Sequence, residues 1–250
     1  MLRLLQAVIE LIYPSRLQCP LCGAYSQDES LCPDCRQLLA GYAGERFCSV
    51  CGSFMGVGEY PRCDSSGLVC PACRVETRPF ELARAVAPYE GPVREAVHRL
   101  KYRGMKSLAA PLGKMMAEAV LRERAFALAD VLVPVPLHPV RERERGYNQS
   151  VLLARALGES LRMPVLEQVL VKIKETPSQT SLTGQQRRQN LLRAFAVVAS
   201  DYIKGKIVII VDDVFTTGST VSILSHLLRQ AGAHSVLALT FAGTRQDGRK

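Results

Sequence analysis

Apolar and polar positions follow two regimes along this chain. From Leu82 onward, short apolar runs recur between longer stretches in which apolar residues return at helical spacing. Short β-branched runs bounded by turn residues predict buried strands, and the 3.6-residue period predicts helices with one face turned to a core. The predicted order is a strand at Leu82–Pro88, a helix from Pro92 to about Tyr102, a helix over Ser107–Arg124 and a strand at Val131–Val135. A helix over Gln149–Arg162, a strand over Val165–Ile173, a strand at Val208–Val211, a helix after Ser219 and a strand at Ser235–Phe241 follow. Pro92 falls in the first turn of its helix, where proline is tolerated. Apolar strands alternating with helices predict an α/β domain, Rossmann-like, with a mostly parallel sheet covered by helices on both faces.

The first 75 residues lack this rhythm and divide differently. Met1–Tyr13 is apolar and amphipathic, interrupted by Gln6 and Glu10. It reads as an N-terminal helix within residues 1–18 that packs on the rest of the protein or lies against a partner. Residues 19–75 form a second unit and residues 76–250 a third. No apolar run reaches the length of a membrane span. No small-residue cleavage site follows the N-terminal segment, so the chain is expected in the reducing cytoplasm. Late in the chain, Lys174–Arg193 is a polar, basic stretch too long for an ordinary connection. It is either a functional lid or a solvated loop running into a surface helix.

Eight of the nine cysteines fall in four Cys-x-x-Cys pairs: Cys19/Cys22, Cys32/Cys35, Cys48/Cys51 and Cys70/Cys73. In a reducing compartment such pairs indicate zinc rather than disulfides, because each tight turn sets two thiolates on one side and two turns complete a tetrahedral shell. Such closed shells are structural, and two Zn²⁺ are expected. Glycine after the second thiolate of the first and third pairs (Gly23, Gly52) suits the positive φ this turn needs. Successive pairing, Cys19/Cys22/Cys32/Cys35 and Cys48/Cys51/Cys70/Cys73, closes the shorter loops; a crossed pairing also fits the spacing.

The net charge of +9 is uneven: residues 1–80 carry 7 Lys and Arg against 8 Asp and Glu, so the excess lies in the α/β part. That suits a polyanionic ligand or nucleic acid. Within it, Val208–Thr220 holds an apolar strand, the acidic pair Asp212–Asp213, and a turn of hydroxyls and glycine that opens into the helical pattern Val221–Gln230. Carboxylates accept hydrogen bonds from vicinal hydroxyls or hold a divalent ion, and backbone N–H groups of such a turn cradle a phosphate. A ribose 5-phosphate would satisfy both halves; a strand ending in a solvated turn is the plainer alternative. Ligands of open α/β sheets gather at carboxyl ends of strands. The end of Val131–Pro136 runs into a segment with Arg141, Arg143 and Arg145, alternating with Glu142 and Glu144. It is either a bidentate grip on a diphosphate or the salt-bridged start of a helix. His98, His138, His226 and His234 show no triad spacing.

The run Val208–Thr220 resembles the phosphoribosyl-pyrophosphate (PRPP) motif of type I phosphoribosyltransferases. The chain as a whole resembles the ComF/GntX family of competence-related proteins, in which a zinc-ribbon region precedes such a domain. The resemblance is carried by Cys19–Gly23, Cys32–Cys35, Leu100–Gly104, Val133–Pro136, Arg145–Gln149, Thr176–Gln179, Arg187–Asn190 and Val211–Thr220. It implies a type I phosphoribosyltransferase fold with a small N-terminal double zinc ribbon. Asp212 and Asp213 would take the ribose hydroxyls as the catalytic pair; Thr216, Thr217, Gly218, Ser219 and Thr220 the 5-phosphate; and Leu137, His138 and Arg141 the pyrophosphate. Thr176, Gln179, Arg187 and Asn190 would belong to a hood loop. Mg²⁺ would accompany PRPP, and chemistry would be loss of pyrophosphate from an oxocarbenium-like centre. The family's association with DNA uptake implies single-stranded DNA and competence-machinery proteins as partners, and basic stretches at Lys101–Lys106, Arg141–Arg145 and Lys172–Arg193 would face DNA. Two functions follow as expectations: an Mg²⁺-dependent phosphoribosyltransferase of unknown acceptor, or a non-catalytic DNA-binding factor for which PRPP is a regulatory ligand.

Overall fold

The computed structural model describes residues 18–26, 30–56, 62–63, 67–174 and 193–246. The N-terminal segment expected as a helix and the four hood-loop residues Thr176, Gln179, Arg187 and Asn190 lie outside them. The cysteine-rich part contains helix α1 (Pro33–Ala43), the short strands β1 (Phe54–Met55), β2 (Arg62–Cys63) and β3 (Gly67–Leu68), and helix α2 (Pro71–Val75). Regular structure is sparse there because the segment buries few apolar residues of its own.

The α/β part runs β4 (Leu82–Pro88), α3 (Gly91–Tyr102), α4 (Ala109–Arg122), β5 (Val131–Pro134), α5 (Pro139–Arg145) and α6 (Gln149–Leu161). It continues with β6 (Leu170–Lys172), β7 (Phe195–Val197), β8 (Ile207–Phe215), α7 (Ser219–Gln230), β9 (Ser235–Gly243) and β10 (Arg245–Gln246). The main sheet has the order β4-β9-β8-β5, and its three pairings are all parallel. β6 and β7 form a separate antiparallel pair.

Side chains of the strands alternate between two cores, as a pleated sheet requires. Ile209, Val211, Leu237, Leu239 and Leu132 face α3, α4 and α6. Val208, Ile210, Val236, Ala238, Val131 and Val133 face α7 and the β6–β7 pair. With both faces covered, the central strands read as continuous apolar runs, which is why β8 and β9 were legible. On the first face α4 and α6 approach closely at Gly113, where an added Cβ would sit 2.5 Å from the Ala156 Cβ.

The two cysteine units take opposite faces of this sheet. Cys19, Leu21 and Cys35 belong to the core under α3 and α4, whereas Cys48, Cys51 and Cys70 belong to the core under α7. The first unit docks on Arg99 of α3, a buried guanidinium whose Nη2 donates to the carbonyls of Pro20 (2.7 Å) and Leu21 (2.5 Å). The second docks on β4: Ala83 N–H donates to Val50 O (2.8 Å), and Arg84 Nη1 donates to Ser49 O (2.9 Å). β1 also pairs in parallel with β10, and Arg245 forms ion pairs with Glu45 and Glu90.

Several expected boundaries change. Val165–Ile173 is not one strand: Val165 makes an isolated parallel bridge to Leu132, a turn follows at 167–168, and only Leu170–Lys172 is strand. The helix expected from Ser107 begins at Ala109, after a 3₁₀ turn at Lys106–Leu108. β8 extends past Val211 to Phe215, so the acidic pair lies within the strand and not after its end. Asp212 and Val214 register with Thr240 and Ala242 of β9, and this ladder carries the strand onward. β7 lies in the apolar run 194–199, outside the strands predicted from the sequence, whereas β10 has no apolar signature and is a strand through its pairing with β1. Among the described residues, no helix is long and apolar enough to cross a membrane.

Candidate functional site

The acidic pair lies near the carboxyl end of β8, and its two side chains differ in burial. Asp213 is buried, whereas Asp212 is partly open to a cleft of about 340 Å³. Asp212 Oδ1 accepts from Ser150 Oγ (2.7 Å) and from Asp213 N–H (2.9 Å). Asp213 Oδ1 accepts from Gln149 Nε2 at 3.4 Å, and its Oδ2 forms an ion pair with Lys101 Nζ. Burial and the neighbouring Asp213 charge push the Asp212 carboxyl up to about 7, against the opposing influence of Lys101 and Ser150. Burial works against the Lys101 ammonium, but Asp213 and Asp212 outweigh it and hold its pKa above the ordinary lysine value.

Three elements supply these partners, and each is fixed for a local reason. Lys101 sits in the last turn of α3, where a cation is favoured by the helix dipole. Gly146 ends α5 in the left-handed conformation at φ 78°. Asn148 then caps α6 by accepting from Ser150 N–H (2.9 Å) while its Nδ2 donates to Val135 O (3.0 Å). That cap pins the start of α6 to the end of β5, which aims Gln149 and Ser150 at the acidic pair. Arg145 Nη1 donates to Gln149 Oε1 and stacks over the Tyr102 ring at 5.3 Å, and Tyr147 OH donates to Leu100 O.

The hydroxyl-rich turn follows β8 directly. Gly218 takes φ +76°, and an added Cβ would lie 2.5 Å from the Phe215 ring, so this position requires glycine. α7 starts at Ser219; Thr217 and Ser219 hydroxyls lie 2.7 Å apart, and Thr216 O accepts from Thr244 Oγ1 (3.0 Å). Thr216 and Thr220 line the same cleft as the acidic pair. The segment expected to line a pyrophosphate divides. Leu137 lines the cleft, but His138 is the N-cap of α5, its Nδ1 accepting from Val140 N–H at 3.4 Å, and Arg141 is exposed on that helix. The arginines therefore lie on a helix, with Arg141 paired to Glu144 at 3.5 Å.

Sequence reasoning missed Lys101, Gln149 and Ser150 as partners of the acidic pair, and Lys101–Lys106 is not a basic loop. Lys101 belongs to α3 and faces a buried carboxylate. The signal available was that Leu100–Gly104 and Arg145–Gln149 carried the family resemblance without a role that explained them. A second cavity, about 1200 Å³, adjoins the cleft and shares Pro136, Leu137 and Lys172 with it.

The cysteines group successively, with the ligand sulfurs of Cys19, Cys22, Cys32 and Cys35, and of Cys48, Cys51, Cys70 and Cys73, within 4.8 Å of one another. Cys22–Cys32 and Cys51–Cys70 sulfurs are each 3.7 Å apart. Zn–S bonds of about 2.3 Å in a tetrahedron place sulfurs about 3.8 Å apart, so both shells fit structural Zn²⁺ with no open coordination position. Gly23 and Gly52 close their knuckles at φ +77° and +68°.

A parallel sheet with an acidic pair and a hydroxyl-rich turn at one strand end, flanked by two Cys₄ ribbons, defines a type I phosphoribosyltransferase-fold protein with a double zinc ribbon. Residues 8–74 match the double zinc ribbon domain and residues 146–250 the phosphoribosyl transferase domain. The chain belongs to the ComF/GntX family. It is 34% identical to the DNA utilization protein YhgH of Salmonella typhi over 82% of this chain and 93% of that one. It is 30% identical to competence protein F of Haemophilus influenzae over 82% and 87% of the two chains. Among solved structures it is similar to glutamine PRPP amidotransferase from B. subtilis (TM-score 0.39, 22% identity, 57% of this chain and 30% of that one).

Metal analysis of the purified protein is expected to give about two Zn per chain; a value near one would leave one Cys₄ shell without its ion. The Asp212 carboxyl has a second consequence. Its pKa rises from 3.8 in the unfolded chain to about 7 in the fold, so the native state binds more protons between these values. Its contribution to stability is present below the lower value and lost as pH rises through the upper. Thermal stability of the wild type should therefore fall relative to Asp212→Asn between pH 5 and 8, read by scanning calorimetry at constant ionic strength. Parallel curves would refute the shift.

Proposed function

We propose that the cleft binds PRPP and that the protein is a phosphoribosyltransferase whose acceptor is not identified by any residue described. The observation that carries this reading is the joint placement of Asp212, Asp213, Thr216 and Thr220 around one cleft at the carboxyl end of β8. Asp212, with one carboxylate oxygen open, accepts from the ribose hydroxyls, and the buried Asp213 holds the partners that fix it. Backbone N–H groups of Thr216–Thr220 take the 5-phosphate at the start of α7. In the transfer, the bond from the anomeric carbon to the diphosphate oxygen breaks, the diphosphate leaves with the electron pair, and the acceptor forms the new bond to that carbon. The chain contributes positioning and charge rather than a nucleophile. Mg²⁺ is usually held by one or two carboxylates together with substrate phosphates. Bound with PRPP, the ion would supply neutralisation of charge on the leaving diphosphate.

Calorimetric titration with PRPP and Mg²⁺ should show binding that weakens by about 2–4 kcal/mol in Asp212→Asn, the worth of charge-assisted hydrogen bonds in a half-buried site. Unchanged affinity would remove the pair from the site. Consumption of PRPP with a panel of bases, amines and oligonucleotides would then identify the acceptor.

A second reading is supported by the names of the relatives, a DNA utilization protein and competence proteins. In it the protein acts in the cytoplasm on single-stranded DNA beside competence-machinery proteins, and PRPP is a regulatory ligand. Arg143 on α5 is exposed and suits a phosphate contact, whereas Arg145 is engaged with Gln149 and Tyr102. This reading expects oligonucleotide affinity that falls steeply with salt and drops in Arg143→Ala. Salt-independent binding in a fluorescence anisotropy titration would count against it.

A further inference from the structure

Lys101 reaches the acidic pair from α3, an element far in sequence from the motif that supplies the carboxylates. Its ammonium is the ion-pair partner of Asp213 Oδ2, a buried oxygen. Gln149 occupies Asp213 Oδ1, and Ser150 with the Asp213 N–H occupies Asp212 Oδ1. Of the four carboxylate oxygens, Asp212 Oδ2 alone is left without a partner among the described residues.

The ammonium is held in this place by its own helix. Two residues earlier, Arg99 is anchored to the carbonyls of Pro20 and Leu21 in the first zinc knuckle. Leu100 O accepts from Tyr147 OH, and the Tyr102 ring lies under Arg145. Four consecutive residues are thus tied to three other parts of the molecule, and the Lys101 side chain is only 20% exposed. A small divalent ion needs a near-octahedral oxygen set and gains most from carboxylates. One open oxygen beside a fixed positive charge is a poor offer, because the ammonium cancels one carboxylate charge and repels a second cation at short range.

We propose that Lys101 is the resident counter-cation of the acidic pair: it holds Asp213 where another site would use a divalent ion, so the free protein takes up no metal there. This deepens the reading of the cleft as a phosphopentose site and rests on that reading for the ligand alone.

The test uses Mn²⁺ by itself as the probe, on the zinc-loaded full chain at pH 8, where the Asp212 carboxyl is ionised. Free Mn²⁺ is followed by electron paramagnetic resonance. Wild type and Lys101→Arg should show no site at the pair. Lys101→Gln should gain at least about tenfold in Mn²⁺ affinity, and adding Asp212→Asn to it should remove the gain. A wild-type Mn²⁺ site that Asp212→Asn abolishes would overturn the proposal. So would a Lys101→Gln protein, with unchanged zinc content and circular dichroism, that binds no better than wild type. If Lys101→Gln does not fold, wild type and Lys101→Arg decide the matter: a site at the pair in either one overturns it. The expected Mn²⁺ pattern combined with no PRPP binding in wild type would count against the phosphopentose reading and leave the role of Lys101 standing.

Discussion

A carboxylate buried at the end of a central strand must be neutralised, and the arrangement around Asp213 follows from that requirement. An isolated buried charge costs several kcal/mol, so the fold has to bring a cation and donors to it. Lys101 comes from α3 and Gln149 from α6, and those two helices lie on the same face of the sheet. Meeting the demand of one side chain therefore fixes the ends of two helices relative to β8. The same contacts leave Asp212 as the member of the pair that faces the cleft with an oxygen to spare. The adjacent carboxylates line one cleft but differ in burial, Asp213 being buried and Asp212 partly open.

The zinc ribbons take part in this arrangement. Each Cys₄ shell sits against one face of the sheet, and buried polar contacts join it to the α/β part: Arg99 to the first knuckle, Ala83 and Arg84 to the second. Gly52 lies so near β4 that an added Cβ would come within 2.4 Å of Ala83 O. The ribbons act here as covers for apolar surface, with metal coordination supplying the rigidity that a core of their own would otherwise provide.

Much of this was legible in the sequence, and the reasons are particular. β8 and β9 announced themselves because strands covered on both faces are apolar throughout. The cysteine pairs announced their metal because the ligand spacing is fixed by the turn. Gly218 marked the turn that only glycine can make against Phe215. What was not legible depended on distance along the chain. Lys101 and Asp213 are 112 positions apart by their numbers, and nothing in either local pattern reveals the other. The arginines at 141–145 had two readings from charge alternation, and the helical one is what the structure contains, because Pro139 and Gly146 bracket a short helix. The split of Val165–Ile173 was hidden because apolar content alone does not disclose the turn at 167–168.

The sheet order carries a consequence for how the chain assembles. β4 and β5 do not pair with each other; they are joined through β9 and β8, which follow both of them in the chain. The ribbons precede the sheet in sequence and rest on faces that do not exist until those two strands are in place. The chain can load its zinc as soon as the cysteines are made, but it has no sheet on which to seat the ribbons until β8 and β9 have been made as well. The usual order in which N-terminal units fold first is therefore closed to this protein beyond the metal shells themselves. β8 and β9 join the two halves of the sheet, and β8 also carries the acidic pair of the cleft.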